Sequence, residues 1–293
     1  MTADEAPIDI DWSDEADVLG AAARDDAEWY TRIATELAEP DDRLAVDVGC
    51  GAAGMALALR AALPPEATVI GIDGDNDVLD VARRTILAAG VESDQIRLVR
   101  ADLHHDLGVL NDLVSGADIV WASGSIHHVG DQQAAINMLA GLLSHGGRLA
   151  LAEGGLPTRH LPWDVGLGEP GLEARLISAE ERWFARMRTS LPDSVRMPYG
   201  WSTALRTAGL VDVTVRTTLF ETTRPAGTPE LAALAGTFGY RIERIIHSGE
   251  LDDTDAAAWA RLLDPADGAW LGHRDDVQSL GVRCVHIGHA PND

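Results

Sequence analysis

From Leu44 onward, apolar runs of five or six residues alternate with longer stretches whose apolar positions recur every three or four residues. Short buried runs are strands and the 3.6-residue period is a helix, so the alternation predicts successive βαβ units and a parallel sheet. The predicted strands are Leu44 to Val48, Thr68 to Asp73, Ile96 to Arg100, Ala117 to Trp121 and Arg148 to Glu153. Helices are predicted at Gly54 to Leu63, Asn76 to Ala89 and Asp131 to Leu143, with a weaker one at Leu107 to Val114. Ahead of them, Trp29, Ile33 and Leu37 repeat every four residues and predict a helix from Asp25 to Ala38.

After Glu153 the rhythm breaks. Gly154 to Gly171 is rich in Gly and Pro and reads as a loop. Ser178 and Glu181 have the spacing of a capping box in front of the Trp183, Phe184, Met187 cluster, which predicts a helix starting there. In Val211 to Phe220, Val211, Val213 and Val215 alternate with polar residues, the pattern of a strand with one wet face. Helices at Pro229 to His247 and Asp253 to Leu263 and a strand at Val282 to His289 complete the chain. Four segments follow: residues 1–40, acidic with a covering helix; 41–155, the nucleotide-type core; 156–210, a helical insertion over the substrate; and 211–293, the strands and helices that complete the sheet.

The turn after the first strand reads Val46-Asp47-Val48-Gly49-Cys50-Gly51-Ala52-Ala53-Gly54. Gly49, Gly51 and Gly54 form a G-x-G-x-x-G array between a strand and a helix, where a missing Cβ lets a ligand approach backbone N–H groups at a helix N-terminus. Asp73 ends the second strand 22 residues after Gly51. A carboxylate there can accept both hydroxyls of a ribose, although it can also cap the following helix together with Asp75 and Asn76. These features suit dinucleotides and S-adenosylmethionine alike.

Four motifs decide between them. Val46-Asp47-Val48-Gly49-Cys50-Gly51 carries an acid two positions before the first glycine; Asp73 follows at the second strand; then come Val99-Arg100-Ala101-Asp102-Leu103 and Leu142-Leu143-Ser144-His145-Gly146-Gly147-Arg148-Leu149. In these the sequence resembles the class I S-adenosylmethionine-dependent methyltransferases of the small-molecule type. The resemblance covers about residues 40 to 155. It implies an α/β fold, Rossmann-like, with a seven-stranded mostly parallel sheet, helices on both faces and a helical substrate cover. It also implies S-adenosyl-L-methionine as cofactor, with Asp47 at its methionine end, Gly49 and Gly51 in the loop, Asp73 on the ribose, Asp102 and the Leu103 N–H on the adenine, and Ser123 at the end of the fourth strand. Two positions depart from the pattern: Ala53 where many members have glycine, and His145 where proline is usual.

Methyl transfer needs alignment, and a base only if the acceptor must lose a proton. The fourth strand leads into Ser123-Gly124-Ser125-Ile126-His127-His128, at the carboxyl end of the sheet where open α/β folds bind ligands. His127 and His128 are therefore the candidate catalytic residues, imidazole being able to take a proton near neutral pH. The opposing reading points one of them into the core. Glu153 is a second candidate base or anchor. His127, His128 and Asp131 with His104, His105 and Asp106 lack chelating spacing, so no metal is expected. Trp163, Trp183 and Trp201 suit a flat or apolar acceptor, or the core of a helical subdomain. Arg175, Arg182, Arg186 and Arg188 suit an acceptor's acidic group, or a solvated helix face.

Composition narrows the chemistry further. All 23 basic residues are arginine, which excludes Schiff-base, pyridoxal and lysine-dependent phosphate-loop mechanisms. A net charge of −24 opposes nucleic-acid binding. The charge is uneven, residues 1–42 holding 14 acids against 2 arginines, the composition of a solubilising tail. No apolar stretch is long enough for a membrane span, and two cysteines fit a reducing compartment, so the expected location is cytoplasmic. The function expected is methyl transfer to a small organic acceptor, O-methylation first, in a setting such as secondary metabolism. A nicotinamide-dependent oxidoreductase and a methyltransferase acting on a peptide or protein are the alternatives. A homodimer is compatible with this reading.

Overall fold

Seven strands form one sheet in the order β3-β2-β1-β4-β5-β7-β6. They are β1 (Leu44–Val48), β2 (Thr68–Asp73), β3 (Ile96–Arg100), β4 (Ala117–Ser123), β5 (Leu143–Arg159), β6 (Val211–Thr223) and β7 (Gln278–His289). The computed structural model describes residues 16–92, 95–103, 110 and 114–292. The weak helix expected at Leu107 to Val114 lies almost wholly outside the described residues, as do His104, His105 and Asp106.

The pairs β1 with β2, β1 with β4, β2 with β3 and β4 with β5 are all parallel. β7 runs the other way: Ala290 N–H donates to Gly147 O near the start of β5, and Gln278 N–H donates to His160 O just past its end. β6 is antiparallel to β7 in turn, since Arg224 N–H meets Val277 O while Val213 lies beside Gly288. The central strands are buried on both faces, four of five residues in β1 and four of six in β2, because helices cover a parallel sheet from both sides.

The chain divides into two compact units. One comprises the described residues up to Glu153, Leu191–Arg216 and those from Cys284. The other comprises Gly154–Ser190 and Thr217–Arg283. The segment 156–210, expected as one insertion, thus splits at Ser190.

In the first unit, Val46, Val48, Ile70, Ile72, Val120 and Leu149 form the centre of the core. The helix expected at Asp25 to Ala38 is α2 (Ala27–Leu37), burying Trp29, Ile33, Ala34 and Leu37, and it is preceded by α1 (Ala16–Asp25), which the acidic composition concealed. α3 (Gly54–Ala62) and α4 (Asn76–Ala88) follow β1 and β2.

In the second unit one helix runs unbroken over Leu172–Ser190. Ser178 lies inside it, so the expected capping box is not a helix start. The buried stripe Leu172, Leu176, Ala179, Trp183, Met187 explains why: its spacing is helical from the first of these residues. Helices Pro229–His247 and Asp253–Leu263 have the expected bounds, with Phe238 stacked on Trp259 at 4.8 Å between ring centres.

Candidate active site

The turn after β1 uses its first two glycines for a left-handed backbone, and the first of them for space as well. Gly49 (φ 66°) and Gly51 (φ 51°) are left-handed, and a Cβ on Gly49 would stand 2.6 Å from the Ser125 Cβ. Ala53 takes the same left-handed conformation (φ 64°) as the residue before α3, fully buried and without a glycine's freedom. α1 and α2 lie against this turn: Leu19 approaches Gly51, while Ala23 and the Tyr30 ring lie 3.1 and 3.0 Å from where a Gly54 Cβ would be. Tyr30 packs edge-on to Trp121 of β4 with ring centres 6.4 Å apart.

Two carboxylates flank the loop. Asp73 accepts the Gly51 N–H at 3.0 Å through one oxygen and the Asp75 N–H at 3.2 Å through the other. The cap of α4 is Asp75, whose carboxylate takes the Asp77 and Val78 N–H groups, so Asp73 is not the helix cap. Asp47 is 2% exposed, and its Oδ2 is buried without a hydrogen-bond partner. Burial drives its carboxyl up to about 7, against the lowering effect of the Ala56 N–H and with a further push from Asp73. Burial likewise raises Asp73, opposed by the N–H groups of Asp75 and Gly51. A buried carboxylate oxygen with no donor is costly, and such an atom marks a position completed by a donor or cation.

Asp102 follows β3, half-buried, with its Cα 3.5 Å from where a Cβ on Gly74 would be; Leu103 packs against the core. The loops after β1, β2 and β3 therefore bring Asp47, Gly49, Gly51, Asp73, Asp102 and Leu103 to one end of the sheet. Ser123 closes β4, paired with Ala152. The serine that touches the glycine turn is Ser125, whose hydroxyl donates to Val48 O at 3.3 Å.

Beyond it, Ile126–His128 forms one tight 3₁₀ turn with Ile126 fully buried. His127 and His128 are both half-buried, their ring centres 4.2 Å apart, so neither is a core residue. His127 Nδ1 lies 2.6 Å from Glu153 Oε2. Glu153 is buried, and its Oε1 accepts the Ser125 and Ile126 N–H groups at 3.1 and 2.9 Å. His286 of β7, which pairs with Ser202 Oγ at 2.9 Å and with the Glu153 backbone, is lowered chiefly by burial; sequence patterning gave no signal for it. No group of three or more His, Cys, Asp or Glu among the described residues is arranged to hold a metal.

The indoles and arginines after β5 do not share one environment. Trp163 is exposed, Trp183 is buried beneath the Arg244 guanidinium, and Trp201, a residue of the first unit, packs on that unit's own core. Arg175 is held by Asp255, and Arg182 and Arg186 by Glu250. Partial burial lowers the Arg188 guanidinium.

Residues 46–149 match the model of a methyltransferase domain. Among curated proteins the chain is 30% identical to a trans-aconitate 2-methyltransferase of Methylobacterium radiotolerans, over 51% of this chain and 63% of that one. It is 35% identical to the methyltransferase GfsG of Streptomyces halstedii, over 37% and 36%. The matches thus span less than two thirds of either relative. Among solved structures, the YcgJ protein of Bacillus subtilis superposes with a TM-score of 0.50 at 18% identity, covering 91% of this chain and 99% of that chain. A Bacillus halodurans protein gives 0.51 at 15%, covering 92% and 100%. These two share the fold.

Proposed function

We propose that this chain is a class I S-adenosylmethionine-dependent methyltransferase that transfers a methyl group to an oxygen of a small organic acceptor. The observation that carries the reading is the buried, partnerless Oδ2 of Asp47, beside a glycine turn that has no room for a Cβ at Gly49.

The residues present fit that cofactor. Asp47 would receive the ammonium of its methionine end, Gly49 and Gly51 would let it lie against the backbone, Asp73 would hold the ribose hydroxyls, and Asp102 with the Leu103 N–H would meet the adenine. Ser123 would border the same crevice. When bound, S-adenosylmethionine supplies a methyl carbon made electrophilic by its sulfonium. The chain's own contribution is alignment, and the removal of a proton where the acceptor is a hydroxyl. We assign that proton to His127, with His128 beside it as a wall of the same pocket. Its ring is half-exposed at the carboxyl end of β4, on the loop seated against Gly49. The name of the Methylobacterium relative supports a small organic acceptor.

The test is methyl transfer from labelled S-adenosylmethionine to a panel of small hydroxy and carboxylic acids, phenols and amines, with peptides included. Label is expected in a small oxygen acceptor, and His127→Ala is expected to slow transfer to a hydroxyl by about 10² to 10⁴ while cofactor affinity stays unchanged. Label found only in peptides, or full turnover in His127→Ala, contradicts the reading.

A further inference from the structure

We infer that Glu153 is the positioning residue of the site, fixing which nitrogen of His127 carries the proton. The inference rests on the proposed role of His127 as base. It goes further in assigning the state in which that base waits.

Every oxygen of Glu153 is committed. Oε1 takes two backbone N–H groups, from Ser125 and Ile126, and Oε2 faces His127 Nδ1 at 2.6 Å. An ionised carboxylate can only accept, so the proton of that contact sits on Nδ1 and the neutral ring keeps its lone pair on Nε2. The charged group is 2% exposed, a burial that only charge-assisted hydrogen bonds offset, and three converge here. The neighbouring titratable groups do not compete for the role. His128 packs against the His127 ring at a tilt of 48°, while His286 is committed to Ser202 and to the Glu153 backbone.

One carboxylate thereby does two things. It pins the turn that carries the base, and that turn rests on the glycine loop through Ser125, so base and cofactor loop share one support. The step in which the chain takes part is a proton transfer. The acceptor O–H bond breaks, an Nε2–H bond forms, the electron pair stays on the acceptor oxygen, and the Nδ1–H of the resulting imidazolium remains on Glu153. The proton later passes to solvent.

The same inventory predicts what a near-isosteric change does. In Glu153→Gln the carbonyl must stay with the two backbone N–H groups, which leaves the amide NH₂ facing Nδ1 and reverses the tautomer. Ring ¹⁵N spectra of the histidine-labelled full chain, with His127 assigned by its absence in His127→Ala, report this without any acceptor. The neutral wild-type ring is expected as the Nδ1–H form and the Glu153→Gln ring as the Nε2–H form. An Nε2–H ring in the wild type overturns the inference by itself, whether or not the variant folds; so does a Glu153→Gln ring identical to the wild type. Failure of the base assignment is seen elsewhere, in undiminished methyl transfer by His127→Ala while the wild-type ring is the Nδ1–H form.

Discussion

Asp47 concentrates the conflict between folding and binding in one residue. Its carboxyl stands at about 7 because it is buried, while the unfolded chain would hold it at the ordinary aspartate value of 3.8. The folded state therefore retains a proton that the unfolded state has lost, and stability falls as pH rises through the interval from about 4 to 7, then stays level above it. The distance corresponds to roughly 4 kcal/mol. Asp47→Asn is expected to be free of this penalty: in urea titrations its stability should pull ahead of the wild type across that interval, run parallel above pH 7, and be accompanied by weakened cofactor binding. Superimposable curves from pH 5 to 9 would show that Asp47 ionises freely in the fold. Asp47, Gly49, Gly51 and Asp73 were legible because a strand, a tight turn and a helix start leave sharp local signals. Glu153 was visible only as an acid at a strand end. Its partnership with Ser125, Ile126 and His127 spans 26 to 28 positions and has no local trace.

At the scale of elements, β1, β2 and β3 matched expectation to the residue because each is a short apolar run bounded by turn formers. β5 did not. It continues past Glu153 to Arg159, through a stretch read as loop, because Gly154 (φ 73°) and Gly155 (φ 108°) lie within the strand where β7 passes close. β6 departs in another way: Val211 and Val215 were expected on a covered face, yet both are exposed at the sheet's edge, since alternation reports two faces and not what packs on either. α1 carries the clearest functional consequence among the elements. Gly20 packs on Val81 of α4, while Leu19 and Ala23 reach the glycine turn. A chain beginning at Ala27 is expected to bind S-adenosylhomocysteine about tenfold more weakly, the loss of an apolar contact of ~1.4 kcal/mol, with α2 still folded. Unchanged affinity by calorimetry would make α1 irrelevant to the site. Removal through Tyr30 takes away Trp29 as well and should destabilise the fold itself, by about 3 to 5 kcal/mol for a buried aromatic.

Across the whole molecule, charge and chemistry point the same way. The −24 charge disfavours a polyanionic acceptor, while the proposed cofactor carries a cationic ammonium that Asp47 would receive. Among the described residues no helix is long and apolar enough to cross a membrane. Whether the glycine turn and its flanking acids form a site for S-adenosylmethionine is decided by calorimetric titration of the full chain with its demethylated product, S-adenosylhomocysteine, in parallel with NAD. One saturable site is expected for the sulfur ligand, none for NAD, and a loss of at least tenfold in affinity in Asp73→Ala but not in Asp75→Ala, whose carboxylate caps α4. Binding of NAD without S-adenosylhomocysteine, or an Asp73→Ala chain that binds as tightly as the wild type, would contradict it.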